Sequence, residues 1–282
     1  MSKPVQHRGP QPGTQGAVAT LPGLRLLFNI AIALAATAGI SLFLLTQQTD
    51  RAFAWTIASP LTAAFLGALY LGDIPLLLAV RREAVWAYAR AAAWGVLVFT
   101  GVSLVATLLH LDKFHLGADL ISARLAAWLW MVVYVTLPVL SAWLIWRQAQ
   151  QSGGAPTVTE AQPMWRRRLL ALAGAAALVL GLALLVVPEL APWPWALTPL
   201  TGRAISARVL AFAAVAYLGA RSGDARTQAA GHGSLALRGG LSLIALWHFP
   251  AELDLSSAGG LLFVGLCGLA VVLGLAGWRR GA

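Results

Sequence analysis

Asp73 is the residue with the clearest capacity for chemistry in this chain. It stands in Gly72-Asp73-Ile74-Pro75, inside a long apolar stretch. A charge at membrane depth costs roughly 2.5–3.5 kcal/mol on insertion scales, so it calls for a partner or a function. Counted from Pro60, Asp73 lies about 20 Å along a helix rising 1.5 Å per residue. Arg238, counted back from Pro250, lies about 18 Å deep by the same rise. The spacing therefore predicts Asp73 and Arg238 at one level, as a buried ion pair facing the bundle interior. Arg208, about 6 Å nearer the outside, is an alternative partner. Such a pair either fixes helix register or makes Asp73 a proton or cation site.

Two further groups contain ligand-type side chains. His110 and His248 end two apolar blocks, in Leu-Leu-His-Leu-Asp and Leu-Trp-His-Phe-Pro. Two imidazoles on different helices could hold a haem iron from both sides, or each could satisfy a local hydrogen bond at an interface. The segment around Asp112, His115 and Asp119, together with Glu252 and Asp254, offers imidazole and carboxylate ligands for zinc or copper. Its spacing matches no known ligand pattern, and Lys113 sits in its middle, so a solvated polar loop is the simpler reading. The chain has no G-x-x-x-x-G-K-[ST] phosphate loop and no H-E-x-x-H. It also lacks C-x-x-C-H, and its one cysteine, Cys267, allows no disulfide within the chain.

The elements that must position these residues are legible in the composition. Of 282 residues, 59% are hydrophobic and only 11% charged, against about 25% charged in soluble domains. The apolar residues fall in blocks of about 20, the length that spans a hydrocarbon core, and in lipid such blocks are helices. The blocks are read as 26–46, 57–80, 89–110, 121–146, 169–188, 200–220, 232–249 and 257–277. The net charge of +10 is spread over the connections between blocks and not gathered on one face, which argues against nucleic acid as a partner.

Arginine and lysine crowd one set of connections, including Arg81, Arg82, Arg147, Arg166, Arg167, Arg168, Arg221 and Arg226. By the positive-inside rule this places both termini in the cytoplasm. Trp55, Trp193, Trp195 and Trp247 then fall at the outer interface, and Trp86, Trp146, Trp165 and Trp278 at the inner one. The arginine-rich, lysine-poor, alanine-rich composition points to a GC-rich bacterial genome and so to a plasma (inner) membrane protein.

Residues 148–164 are polar and Gly/Pro-containing, and read as a flexible cytoplasmic linker. They separate residues 24–147 from residues 165–282, with residues 1–23 as a disordered cytoplasmic tail. The two parts repeat each other near an offset of 139: Trp55…Pro60-Leu61-Thr62 against Trp195…Pro199-Leu200-Thr201, Arg82 against Arg221, His110 against His248. The expected fold is an all-α integral membrane protein with eight transmembrane helices, arranged as two parallel four-helix repeats. Gly95, Gly101, Gly174, Gly181, Gly259, Gly260, Gly265 and Gly268 are expected to let helices approach closely. The leading functional expectation is transporter-like handling of a small molecule or ion between the repeats near Asp73. A membrane redox or haem-binding subunit and a non-catalytic scaffold or partner subunit are the alternatives. Beyond the lipid bilayer, the sequence names no partner.

Overall fold

The computed structural model describes residues 16–281 apart from residue 159, with the backbone alone for residues 278–281. Eight long helices follow one another: α1 Pro22–Leu44, α2 Pro60–Val80, α3 Trp86–Leu109, α4 Ile121–Ala149, α5 Met164–Val186, α6 Pro199–Ser222, α7 Gly231–His248 and α8 Ala258–Gly281. Seven are long and apolar enough to cross a membrane. The exception is α7, which differs from the expectation of eight such spans. It has only 18 residues, and Arg238, His232 and several Gly and Ser residues dilute its apolar content.

Helix starts are locally encoded. The Ser59 side chain accepts a hydrogen bond from the Thr62 N–H at 2.9 Å, with Pro60 in the first turn of α2. Thr198 and Thr201 form a reciprocal capping box ahead of α6, again followed by proline. In both, side-chain oxygens satisfy N–H groups that the helix cannot pair itself, and proline takes a place where no N–H is needed. At the other end of α6, Gly223 adopts φ 67°, the left-handed conformation that terminates helices.

Helices α2, α3, α6 and α7 form the centre. α2 packs between α1 and α7, α6 packs between α5 and α3, α4 lies on α3, and α8 lies on α7. Burial follows this order. Within their most apolar windows α2 is 61% buried and α6 56%, whereas α8 is only 11% buried. Leu172, Val179 and Val186 on α5 and Leu261, Leu262 and Val272 on α8 are exposed. Apolar surface of that extent suits contact with lipid and would not be tolerated on a soluble monomer. The architecture is that of a multi-pass, all-helical membrane protein.

Close approach depends on particular glycines. A Cβ on Gly67 would lie 2.6 Å from the Phe43 nitrogen of α1, and one on Gly72 would lie 2.7 Å from Arg238 Cβ of α7. Of the glycines expected to mediate packing, Gly95, Gly174 and Gly181 face neighbouring helices and Gly260 faces the preceding turn, while Gly101, Gly259, Gly265 and Gly268 face open space.

Pro75 interrupts the hydrogen-bond ladder of α2, and α7 fills part of the break. The Leu76 N–H donates to Ser234 Oγ at 2.9 Å. Proline inside a helix removes one ladder bond, so this break gives α7 a docking point one turn beyond Asp73.

Backbone and side-chain hydrogen bonds tie the ends of the connections to the helices. Residues 1–15 lie outside the described part. Residues 17–20, however, pair along the chain: Val18 N–H donates to Gly154 O at 3.2 Å, Thr20 N–H to Ala84 O at 2.8 Å, and Trp86 N–H to Val18 O at 2.9 Å. Gln148, expected to open the linker, is 1% exposed inside α4. Its amide donates to Ala19 O and accepts from Leu21 N–H, both at 2.8 Å. The far end of the linker is tied to the turn after α6, with Gln162 N–H donating to Gly223 O at 2.8 Å. A polar composition is equally the signature of a segment that satisfies backbone groups at helix ends.

Two of the tryptophans expected at the interface level are buried against other rings. Trp55 is 2% exposed and Trp195 7%. Trp55 packs edge-on against Phe53 and Trp130, and Trp195 against Phe65 and Phe263. Trp146, Trp165 and Trp247 are exposed, as belt residues are.

Candidate functional site

Helices α1, α2, α3, α4, α6 and α7 line a cavity of about 120 Å³ at mid-bundle, with Asp73, Arg208 and Arg238 in its wall. The cause is local. Tyr70 and Asp73 are three residues apart on α2 and so share a helix face. That face points toward α6 and α7, because Gly72 beside it lets the α7 backbone come close. Asp73 bridges two arginines: Oδ2 accepts from Arg208 Nη1, and Oδ1 accepts from Arg238 Nη2. The sequence reading set Arg238 as partner and Arg208 as the alternative; the structure brings both to the same carboxylate. The 6 Å axial offset of Arg208 is spanned by its long side chain, which snorkels as arginines do.

Arg208 is held from its faces as well as its edge. Its guanidinium carbon lies 3.9 Å from the Tyr70 ring centroid and 3.6 Å from that of Phe99. A cation over an aromatic face is attracted by the ring quadrupole, most strongly where water is absent. The Tyr70 and Tyr134 hydroxyls meet at 2.8 Å, and the Tyr134 ring lies against Trp130 at 4.1 Å. Tyr70, Phe99 and Tyr134 were not singled out from the sequence. The signal for Tyr70 was its three-residue spacing from Asp73; Phe99 and Tyr134 are aromatics in apolar blocks and carry none.

The histidines and the polar loops are used separately. His110, the C-cap of α3, accepts from Arg203 Nη1 at 2.8 Å. His248 is exposed, with its ring edge-on to Phe249. His115 bonds Phe53 O at 3.1 Å and Thr56 Oγ1 at 3.0 Å. Asp112 pairs with Lys113 at 2.9 Å on the surface, and Asp119 is exposed. Glu252 accepts from Ser59 Oγ and from Leu61 N–H, capping α2, and Asp254 accepts from Ser256 N–H ahead of α8. Among the described residues, no three His, Cys, Asp or Glu side chains converge as metal ligands would. The expected outer-loop cluster is therefore divided among caps and local bonds.

Burial, and then the neighbouring Arg203 charge, hold the His110 imidazole below its ordinary range. The unfolded chain takes up that proton near pH 6.5, roughly the free imidazole value, and the folded chain only at lower pH. Between these values the unfolded state binds more protons, so stability falls as pH drops below about 6.5 and levels off beneath the folded value. His110→Gln keeps an acceptor for Arg203 but does not titrate. The unfolding temperature should therefore fall less between about pH 7.5 and about pH 5.5 in this variant than in the parent, and equal falls would remove His110 from the account.

Both ends of the bundle are laced across the two halves of the chain. At one end Glu83 pairs with Arg226 at 3.0 Å and Tyr88 donates to Asp224 Oδ2 at 3.3 Å. At the other, besides Glu252 on α2 and Arg203 on His110, Trp195 Nε1 donates to Thr62 Oγ1 at 2.9 Å. The charged cavity lies between these two sets of contacts. No protein family, no curated protein and no solved structure matches this chain.

Proposed function

We propose that the protein binds a small molecule or ion at Asp73 in a transporter-like cycle, in an eight-span bundle built from two parallel repeats. The observation that carries this reading is the cavity itself. It is lined by α1, α2, α3 and α4 of one half and by α6 and α7 of the other, and its wall holds three charged side chains. Binding sites of secondary transporters lie near the bilayer midplane at such repeat interfaces. Intramembrane charges there mark pathways more often than packing.

The packing supports the repeat. A shift of 139 residues carries the Ser59 cap to Thr198 and the short turn Leu111–Lys113 to Pro250–Glu252. It also exchanges the α2–α7 contact with the α6–α3 contact, as a twofold axis along the membrane normal would. α7 is counted as a span because it lies between α2 and α8, and its one arginine is matched by Asp73. At 18 residues it is about 27 Å long, close to the hydrocarbon thickness. Eight spans put both termini on one side, which we read as the cytoplasmic side of a bacterial inner membrane. Reporter fusions after residue 164 and at the C-terminus should give the same sidedness; opposite sidedness would reduce the count to seven.

The binding role is tested by access. Ala211 lines the cavity and Val132 faces away from the bundle. In a Cys267→Ala background, Ala211→Cys should react with a charged thiol reagent applied to vesicles, while Val132→Cys should not. An unreactive Ala211→Cys from both sides of the membrane would leave Asp73 with a purely structural role.

A further inference from the structure

The charges in the cavity wall do not balance. Among the described residues Asp73 is the only acid lining it, facing Arg208 and Arg238. Arginine is a fixed positive charge in proteins, and a phenol adds no charge at neutral pH. The site therefore carries one positive charge in excess, in surroundings that penalise an unpaired charge. The rings of Tyr70 and Phe99 offset part of this for Arg208, whereas among the described residues no ring lies over Arg238. The Nε atoms of both arginines are buried and have no hydrogen-bond partner among the described residues. The Arg208 side chain is 9% exposed, so its free N–H cannot be satisfied by bulk water. Buried guanidinium N–H groups without acceptors, beside a hollow, call for an acceptor that carries negative charge.

The rest of the wall describes the rest of the ligand. Leu34, Val96, Phe99, Val133, Phe212 and Val215 make it apolar. A second hollow of about 150 Å³ adjoins the first and shares Leu34, Tyr70, Val133 and Tyr134 with it. It runs between α1 and α4, past Thr37, Ser41 and Trp130. One water occupies about 30 Å³ of liquid volume, so the first hollow alone has room for a head group and a few carbons, and the second for the remainder of a chain.

We infer that the occupant of this site is an amphiphilic monoanion, a carboxylate head on an apolar chain, with the head beside the two arginines that Asp73 bridges and the chain running toward α1 and α4. This inference rests on the binding reading above and gives it a ligand class. One carboxylate brings the site to neutrality. Its planar pair of oxygens matches the guanidinium fork, and the chain needs no polar partner in the hollow it enters. A cation would add to the excess, and a dianion would overshoot it.

The test uses the full-length protein in lipid nanodiscs with radiolabelled octanoate as probe. Octanoate should bind saturably, with octyltrimethylammonium and octanol failing to displace it and acetate displacing it only weakly. Arg238→Gln leaves the Asp73–Arg208 pair intact and removes the excess charge, so affinity should drop about tenfold or more while gel-filtration behaviour is kept. Asp73→Asn, read only if it stays monodisperse, should tighten binding. Displacement by the cation or the alcohol, or unchanged affinity in Arg238→Gln, overturns the anion assignment. So does absence of binding in a protein whose Ala211→Cys form is labelled, an outcome that leaves the cavity reading standing. Absence of both overturns the two together.

Discussion

Asp73→Ala should cost about 3–5 kcal/mol of stability, the expected loss when one member of a buried ionic cluster is removed. The substitution leaves Arg208 and Arg238 aimed at an emptied position, and Arg208, whose side chain is 9% exposed, has no other charged partner there among the described residues. The loss should appear as a large fall in unfolding temperature for the detergent-solubilised protein. Arg238→Gln should cost less, since Asp73 keeps Arg208, and Arg208 keeps its contacts with Tyr70 and Phe99. Combining Asp73→Ala with Arg238→Gln should recover part of the Asp73→Ala loss, because the remaining arginine is the one cradled by aromatic rings. Groups that share partners behave non-additively, and independent groups add. Strictly additive losses in the double variant would mean that the three charges do not act as one cluster.

The second large effect should come from a residue with no side chain. Gly72→Val places atoms where the α7 backbone now lies, since even a Cβ at this position would be 2.7 Å from Arg238 Cβ and 3.0 Å from its Cα. Neither atom is the flexible end of a side chain, so the helices must separate. Overpacking of this kind costs about 1–3 kcal/mol, and displacement of Arg238 from Asp73 adds to it. Gly72→Val should thus lower the unfolding temperature and weaken octanoate binding together. Gly101→Val is the control, because nothing lies within 4 Å of a Cβ there. If both variants behave alike, close approach at Gly72 does not position Arg238.

The level at which Asp73 and Arg238 meet was legible from residue counts, because helical rise is fixed and proline marks where each count begins. That Arg208 joins them was less so. Counting gives the depth of a Cα, and an arginine head group reaches several ångströms from it. Histidine positions were legible as chain ends but not their partners: pairing His110 with His248 follows the repeat, whereas the structure gives His110 a hydrogen bond from Arg203. The surroundings of Trp55 and Trp195 were not legible for a related reason. Sequence places a tryptophan at an interface level without saying whether it faces lipid, and these two turn inward onto Phe53, Phe65, Trp130 and Phe263. Polarity alone likewise does not separate a solvated segment from one that satisfies helix ends, as Gln148 does at Ala19 and Leu21.

The division of the charged cluster among α2, α6 and α7 sets a timetable for synthesis. Arg208 follows Asp73 by 135 residues and Arg238 follows it by 165. At translation rates of about 5–20 residues per second, Asp73 waits roughly 7–30 s for its first partner and slightly longer for its second. Through that interval α2 must be held by the insertion machinery, stay near the head groups, or carry a protonated carboxyl. The acid that completes the finished bundle is thus a burden on the nascent one, and slowed elongation between α2 and α6 would expose it for longer to membrane quality control.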